Sequence, residues 1–196
     1  MSKKFRELLD NIFADNVKAH SFFAGEEDSI GSVIEAAQAM IDCYKKGGKV
    51  LIFGNGGSAA DAMHMAAELV VRFESERKAL PCIALSADQA TLTAISNDYD
   101  FSRSFSRQVE AFAAPGDVVV AISTSGNSPN VLAAVSEAKK RNAIIVSIGG
   151  RDGGKLSSLA DFPIVVKDSN TGRIQEVHST IIHAICKMIE VSLQNE

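Results

Sequence analysis

No apolar run in these 196 residues approaches the roughly 18 needed to cross a membrane. The opening segment MSKKFRELLDN is polar and lacks the hydrophobic centre of a secretory signal, so a cytoplasmic protein is expected. Positive charge is not in excess: the formal net charge is −4, which gives no reason to expect nucleic acid as a partner. Cysteine is scarce. Cys43, Cys82 and Cys186 are scattered, odd in number and set among apolar neighbours, which argues against a disulfide framework and for reduced core thiols. Repeats, linkers and low-complexity tracts are absent too, so residues 1–196 read as one domain. That length supports one full core and is short for two.

Against this plain background one stretch is unusual, KVLIFGNGGSAADAMHMAAELVVRF from Lys49 to Phe73. Val50 to Phe53 is a short apolar run bounded by glycine, the pattern of a buried strand. Gly54-Asn55-Gly56-Gly57-Ser58 then turns the chain into a helix starting near Ser58. Glycines let main-chain N–H groups approach a ligand, and a helix start offers unpaired donors and a positive dipole end, so an anion suits this turn. Such turns are also common in α/β proteins without any ligand. His64 and Glu68 follow four residues apart on one helix face, an arrangement shared with ordinary solvated pairs. Their neighbours Ala62, Met63, Met65, Ala66, Ala67 and Leu69 leave little polar face, which favours a cleft or an interface.

The rest of the chain alternates. Helical spacing of apolar residues runs from 3 to about 24, then from about Asp28 to Lys46, where Gly47-Gly48 stops it. These two helices, within residues 1–47, exceed what one small sheet needs for cover, and subunit association is an expected use. A second strand is expected at Pro81 to Leu85 and a helix at Ala90 to Ile95, broken by Ser96-Asn97-Asp98-Tyr99-Asp100. Helical spacing resumes from Phe101 to Ala113. Strands follow at Asp117 to Ile122, Ala143 to Ile148 and Phe162 to Val166, with helices at Pro129 to Arg141 and Arg173 to Leu193. Nearly continuous apolar strands alternating with helices predict an α/β fold: a five-stranded parallel sheet, doubly wound in the flavodoxin-like order, with two extra N-terminal helices. In that order the first and third strands are neighbours. The loops Gly54–Ser58 and Ser123–Ser128 then face one crevice at the switch point.

The second loop, Ser123-Thr124-Ser125-Gly126-Asn127-Ser128, places four hydroxyls around a helix start. It suits a phosphate dianion without any lysine, and exceeds what helix capping alone requires. On the last helix Gln175, Ser179 and His183 recur every fourth residue and share a face, while His178 points elsewhere. If the two helices meet, His64, Glu68, Gln175 and His183 form a donor set suited to zinc or a similar divalent ion. Spacing alone does not bring them together.

The series GNGGSAADAMH, Glu68, Asn97-Asp98, STSGNS, RIQEVH and His183 resembles the phosphoheptose isomerases of the sugar isomerase (SIS) group, in order and spacing, over nearly the whole chain. The resemblance implies conversion of sedoheptulose 7-phosphate to D-glycero-D-manno-heptose 7-phosphate, an early step towards bacterial surface heptose. It implies a homotetramer with sites between subunits and one zinc ion per subunit, held by His64, Glu68, Gln175 and His183. The sugar phosphate is expected to contact Asn55, Gly56, Gly57, Glu68, Asn97, Asp98, Ser123, Thr124, Ser125, Ser128 and Gln175, with Ser58 added from its place at the helix start. Glu68 is the expected base and His183 the expected acid of an ene-diol mechanism. One departure stands out: some members carry aspartate where this chain has Gly172. Two other readings use the same fold. One is a non-catalytic tetramer that binds a replication initiator and lacks counterparts of Glu68 and His183; the other is a sugar-phosphate sensor.

Overall fold

The apolar runs assemble into one wholly parallel sheet in a computed structural model that describes residues 2–194. Its strands are β1 (Val50–Gly54), β2 (Cys82–Ala84), β3 (Val118–Ser123), β4 (Ile144–Gly150) and β5 (Phe162–Val166), in the order β2-β1-β3-β4-β5. Val50 pairs with Cys82 on one side and Val118 on the other; Val118 in turn pairs with Ile144. The expected switch point therefore lies between β1 and β3.

The helices are α1 (Ser2–Ala24), α2 (Glu27–Lys45), α3 (Gly57–Val70), α4 (Gln89–Asp98), α5 (Ser106–Phe112), α6 (Pro129–Lys140), α7 (Gly154–Ser157) and α8 (Thr171–Leu193). Alternate strand residues point to opposite faces and separate two cores. Val50, Ile52, Val118, Val120, Val146 and Ile148 pack with α2, α3 and α8. Leu51, Phe53, Val119, Ala121 and Ile145 pack on the other face with α5 and α6. At the entrance to β1 and β3, Asp117 is 2 % exposed and accepts from Lys49 N at 3.0 Å, Lys49 Nζ at 2.6 Å and Ala114 N at 2.8 Å. A buried carboxylate is tolerated there because every lone pair direction it uses meets a donor.

Three local expectations change. The helix read as ending at Ile95 continues through Asn97 and Asp98, because Asp88 caps its start by accepting from Thr91 N at 3.1 Å and Ser96 returns its hydroxyl to Leu92 O at 2.7 Å. The helix expected over Phe101–Ala113 is split. A 3-10 turn, Phe101–Arg103, capped by Asp100, precedes α5, and the break lets Phe105 stack on Phe53 with ring centroids 5.1 Å apart. The short α7 had no periodic signal to announce it.

Candidate active site

The first loop owes its shape to two glycines. Gly56 has φ +56°, a conformation that disfavours a side chain, and a Cβ on Gly57 would lie 2.2 Å from Gln175 Nε2. Helix α3 thus begins against α8, and the two run side by side with their residues in step. Gly57 meets Gln175, Asp61 accepts from Ser179 Oγ at 3.2 Å, and His64 meets His183. Helical periodicity turns this register into a row of polar groups down one seam.

At the far, exposed end of the row His64 Nε2 lies 3.1 Å from Glu68 Oε1 and 3.4 Å from His183 Nε2, and the two imidazoles meet edge to face at 4.9 Å. The three donor atoms fall within 4.8 Å of one another. Ligands on a tetrahedral zinc with metal–nitrogen bonds near 2 Å stand about 3.3 Å apart, so a group this close could hold a metal ion. Three of the four expected metal donors therefore converge. The fourth, Gln175, lies over Gly57 at the loop end of the seam, about 12 Å of helix rise before His183.

The second loop leaves its hydroxyls free of capping duty. Ser128 stands at the N-cap of α6 with no side-chain cap bond, and its Oγ lies 3.1 Å from Ser123 Oγ. Ser125 Oγ accepts from Asn127 N at 3.2 Å, and Thr124 and Ser125 remain partly accessible. Ser123 is largely covered, and Ser58 faces inward at 3 % exposure. Asn97 and Asp98 pair with each other at 2.9 Å on the exposed end of α4; no hydrogen bond joins them to the other expected site residues.

Two residues that sequence reading missed belong to this picture. Asn130, 2 % exposed, exchanges a pair of 2.9 Å hydrogen bonds with Asn55 and so ties the first loop to the start of α6. Only its place directly after the Ser-rich loop hinted at such a role. Asp61 lies on the seam three residues before His64. Burial raises its pKa, against the opposing pull of the Ser179 hydroxyl and His64. Cys186, three residues beyond His183, has its pKa raised to about 12 by burial and then by the charge of Glu68, which leaves an inert thiol. All three cysteines are free and buried.

The SIS domain family matches residues 13–150. The phosphoheptose isomerase of Geobacter sp. (strain M21) is 54% identical over 188 residues, covering 95% of this chain and 97% of the relative. That of Citrifermentans bemidjiense is 52% identical over 179 residues, covering 90% and 93%. The structure of the Neisseria gonorrhoeae phosphoheptose isomerase superposes with a TM-score of 0.89 at 41% identity, over 95% of this chain and 99% of that one. A fold, a polar seam and relatives that agree over almost the full length place the chain in the SIS domain family, among the phosphoheptose isomerases.

Proposed function

We propose that this protein interconverts sedoheptulose 7-phosphate and D-glycero-D-manno-heptose 7-phosphate through an ene-diol, in bacterial heptose biosynthesis. The observation that carries the proposal is the meeting of Glu68 and His183 beside His64 on the α3–α8 seam, next to a loop whose hydroxyls are not used as caps. Glu68 takes a proton from C1 of the ketose, the electron pair forms the C1–C2 double bond, and the former C2 carbonyl oxygen takes up a proton, which completes the ene-diol. His183 returns a proton to C2 while the hydroxyl proton at O1 leaves, so the carbonyl ends at C1. The hydroxyls of Ser123, Thr124, Ser125 and Ser128, with the amides around Asn55, Gly56 and Gly57, hold the remote phosphate and orient C1 at Glu68.

His64, Glu68 and His183 would hold zinc, and three protein ligands with an open position are the usual catalytic arrangement; Gln175 is the fourth donor that the family resemblance implies. When bound, zinc supplies Lewis acidity towards the oxygens on C1 and C2. Glu68 would then serve both as a ligand of the ion and as the base.

The active form we propose is a homotetramer in the cytoplasm. The exposed apolar residues Phe5, Leu8, Leu9, Phe13 and Val17 along α1 support association through that helix. Asn97 and Asp98, which pair with each other on the exposed end of α4, suit a site completed between subunits. Three buried free thiols accord with a reducing compartment. Metal analysis tests the reading: the purified protein should carry about one zinc per chain, bound through His64 and His183. Equal zinc in a His64→Ala/His183→Ala variant would sink it.

A further inference from the structure

Glu190 is a carboxylate in the wrong place for a solvated helix. It lies two turns beyond His183 on α8, is 1 % exposed and belongs to no part of the reaction described above. Its oxygens accept from three consecutive main-chain N–H groups, Phe73 at 3.1 Å, Glu74 at 3.0 Å and Ser75 at 3.0 Å. Those residues form a strap that leaves the end of α3. Burial pushes the carboxyl pKa up, but the three donors and Lys187 outweigh it and the net shift is downward, so the group is held as an anion.

The strap touches both helices of the seam. Phe73 packs against the His183 ring, centroids 5.4 Å apart. Arg77 donates to Glu68 O at 2.7 Å and Leu69 O at 2.8 Å, satisfying carbonyls in the last turns of α3. Lys187 joins Glu74 from outside. Among the described residues no hydrogen bond fixes His183 Nδ1, the atom through which a ligating histidine is usually oriented.

We propose that Glu190 is a positioning residue for the metal donors: by fixing residues 73–75 it sets the Phe73 ring against His183 and so orients the imidazole toward His64 and Glu68. The inference rests on the metal site proposed above. Its work is done before substrate arrives, in the affinity of the site for the ion.

The test is zinc binding to metal-stripped protein, measured by competition with a chromogenic chelator, alongside melting of the metal-free forms. Parent, Glu190→Gln and Phe73→Leu are compared. Both variants should bind zinc about tenfold more weakly or worse, the usual cost of losing an orienting group behind a metal ligand. The double variant should be no weaker than the worse single one, because both act through one contact. A lowered melting point with parental zinc affinity would make the strap merely structural and overturn the inference. If Glu190→Gln does not fold, Phe73→Leu decides, since it removes the ring contact and leaves the Glu190 bonds. A parent that binds no zinc would defeat the metal site itself, and this inference with it.

Discussion

Asn55 and Asn130 lie face to face, each amide donating to the other's oxygen at 2.9 Å, and this pair joins the Gly54–Ser58 turn to the start of α6 across the switch point. Asn130 also donates to Ser104 Oγ at 3.1 Å and accepts from Val131 N at 3.0 Å, so a single buried amide makes hydrogen bonds to three residues. Asn130→Ala leaves the Asn55 amide and the Ser104 hydroxyl unpaired. Stability should fall by about 1–3 kcal/mol. KM for the ketose phosphate should rise more than kcat falls, since the pair orients a binding loop rather than the reacting atoms. Steady-state kinetics and chemical unfolding of the same variant check both halves.

The hydroxyl loop offers a separate test. Ser123→Ala and Ser125→Ala should each weaken binding of the phosphorylated ketose by about 1.5–3 kcal/mol, the worth of a hydrogen bond to a charged oxygen. Melting should fall only modestly, because neither residue caps α6 and each loses a single loop contact, Ser123 that with Ser128 Oγ and Ser125 that with Asn127 N. Calorimetry with unchanged affinity would reduce the loop to a turn.

His178 predicts a pH dependence. It is fully buried, with Nε2 donating to Gly149 O at 2.9 Å, and burial lowers its pKa to about 4 despite that bond. Below pH 6.5 the unfolded chain takes up a proton that the native imidazole refuses, so stability falls as pH drops from 6.5 towards 4. The full loss is about 3 kcal/mol. Denaturant unfolding of metal-stripped protein at pH 7 and pH 5 should show a smaller difference in His178→Gln than in the parent. Equal pH dependence would refute the assignment.

Much of this was legible in the residues. Unbroken apolar strands and helical periodicities carry the doubly wound sheet, and i,i+4 spacing puts His64 with Glu68 and Gln175 with Ser179 and His183. What spacing cannot carry is the register between α3 and α8. That register depends on the close approach of Gly57 to Gln175, a contact between residues far apart in the chain. The same limit hid Glu190 and Asn130: each is polar and buried, and only tertiary partners make such burial tolerable. Local signals misled the reading at α4, where Ser96 and Asn97 look like helix breakers although Asp88 caps the helix start at Thr91 and Ser96 bonds back to the Leu92 carbonyl.

Proton abstraction by Glu68 is the centre of the functional account, and exchange of the C1 proton of sedoheptulose 7-phosphate with deuterated solvent measures it without requiring product release. Glu68→Gln keeps the shape and one oxygen for the metal but removes the proton acceptor. With zinc supplied, exchange and turnover should fall together by at least about a hundredfold, the lower end of a general base's contribution, while phosphate binding persists. Exchange at the parental rate in Glu68→Gln would contradict the account.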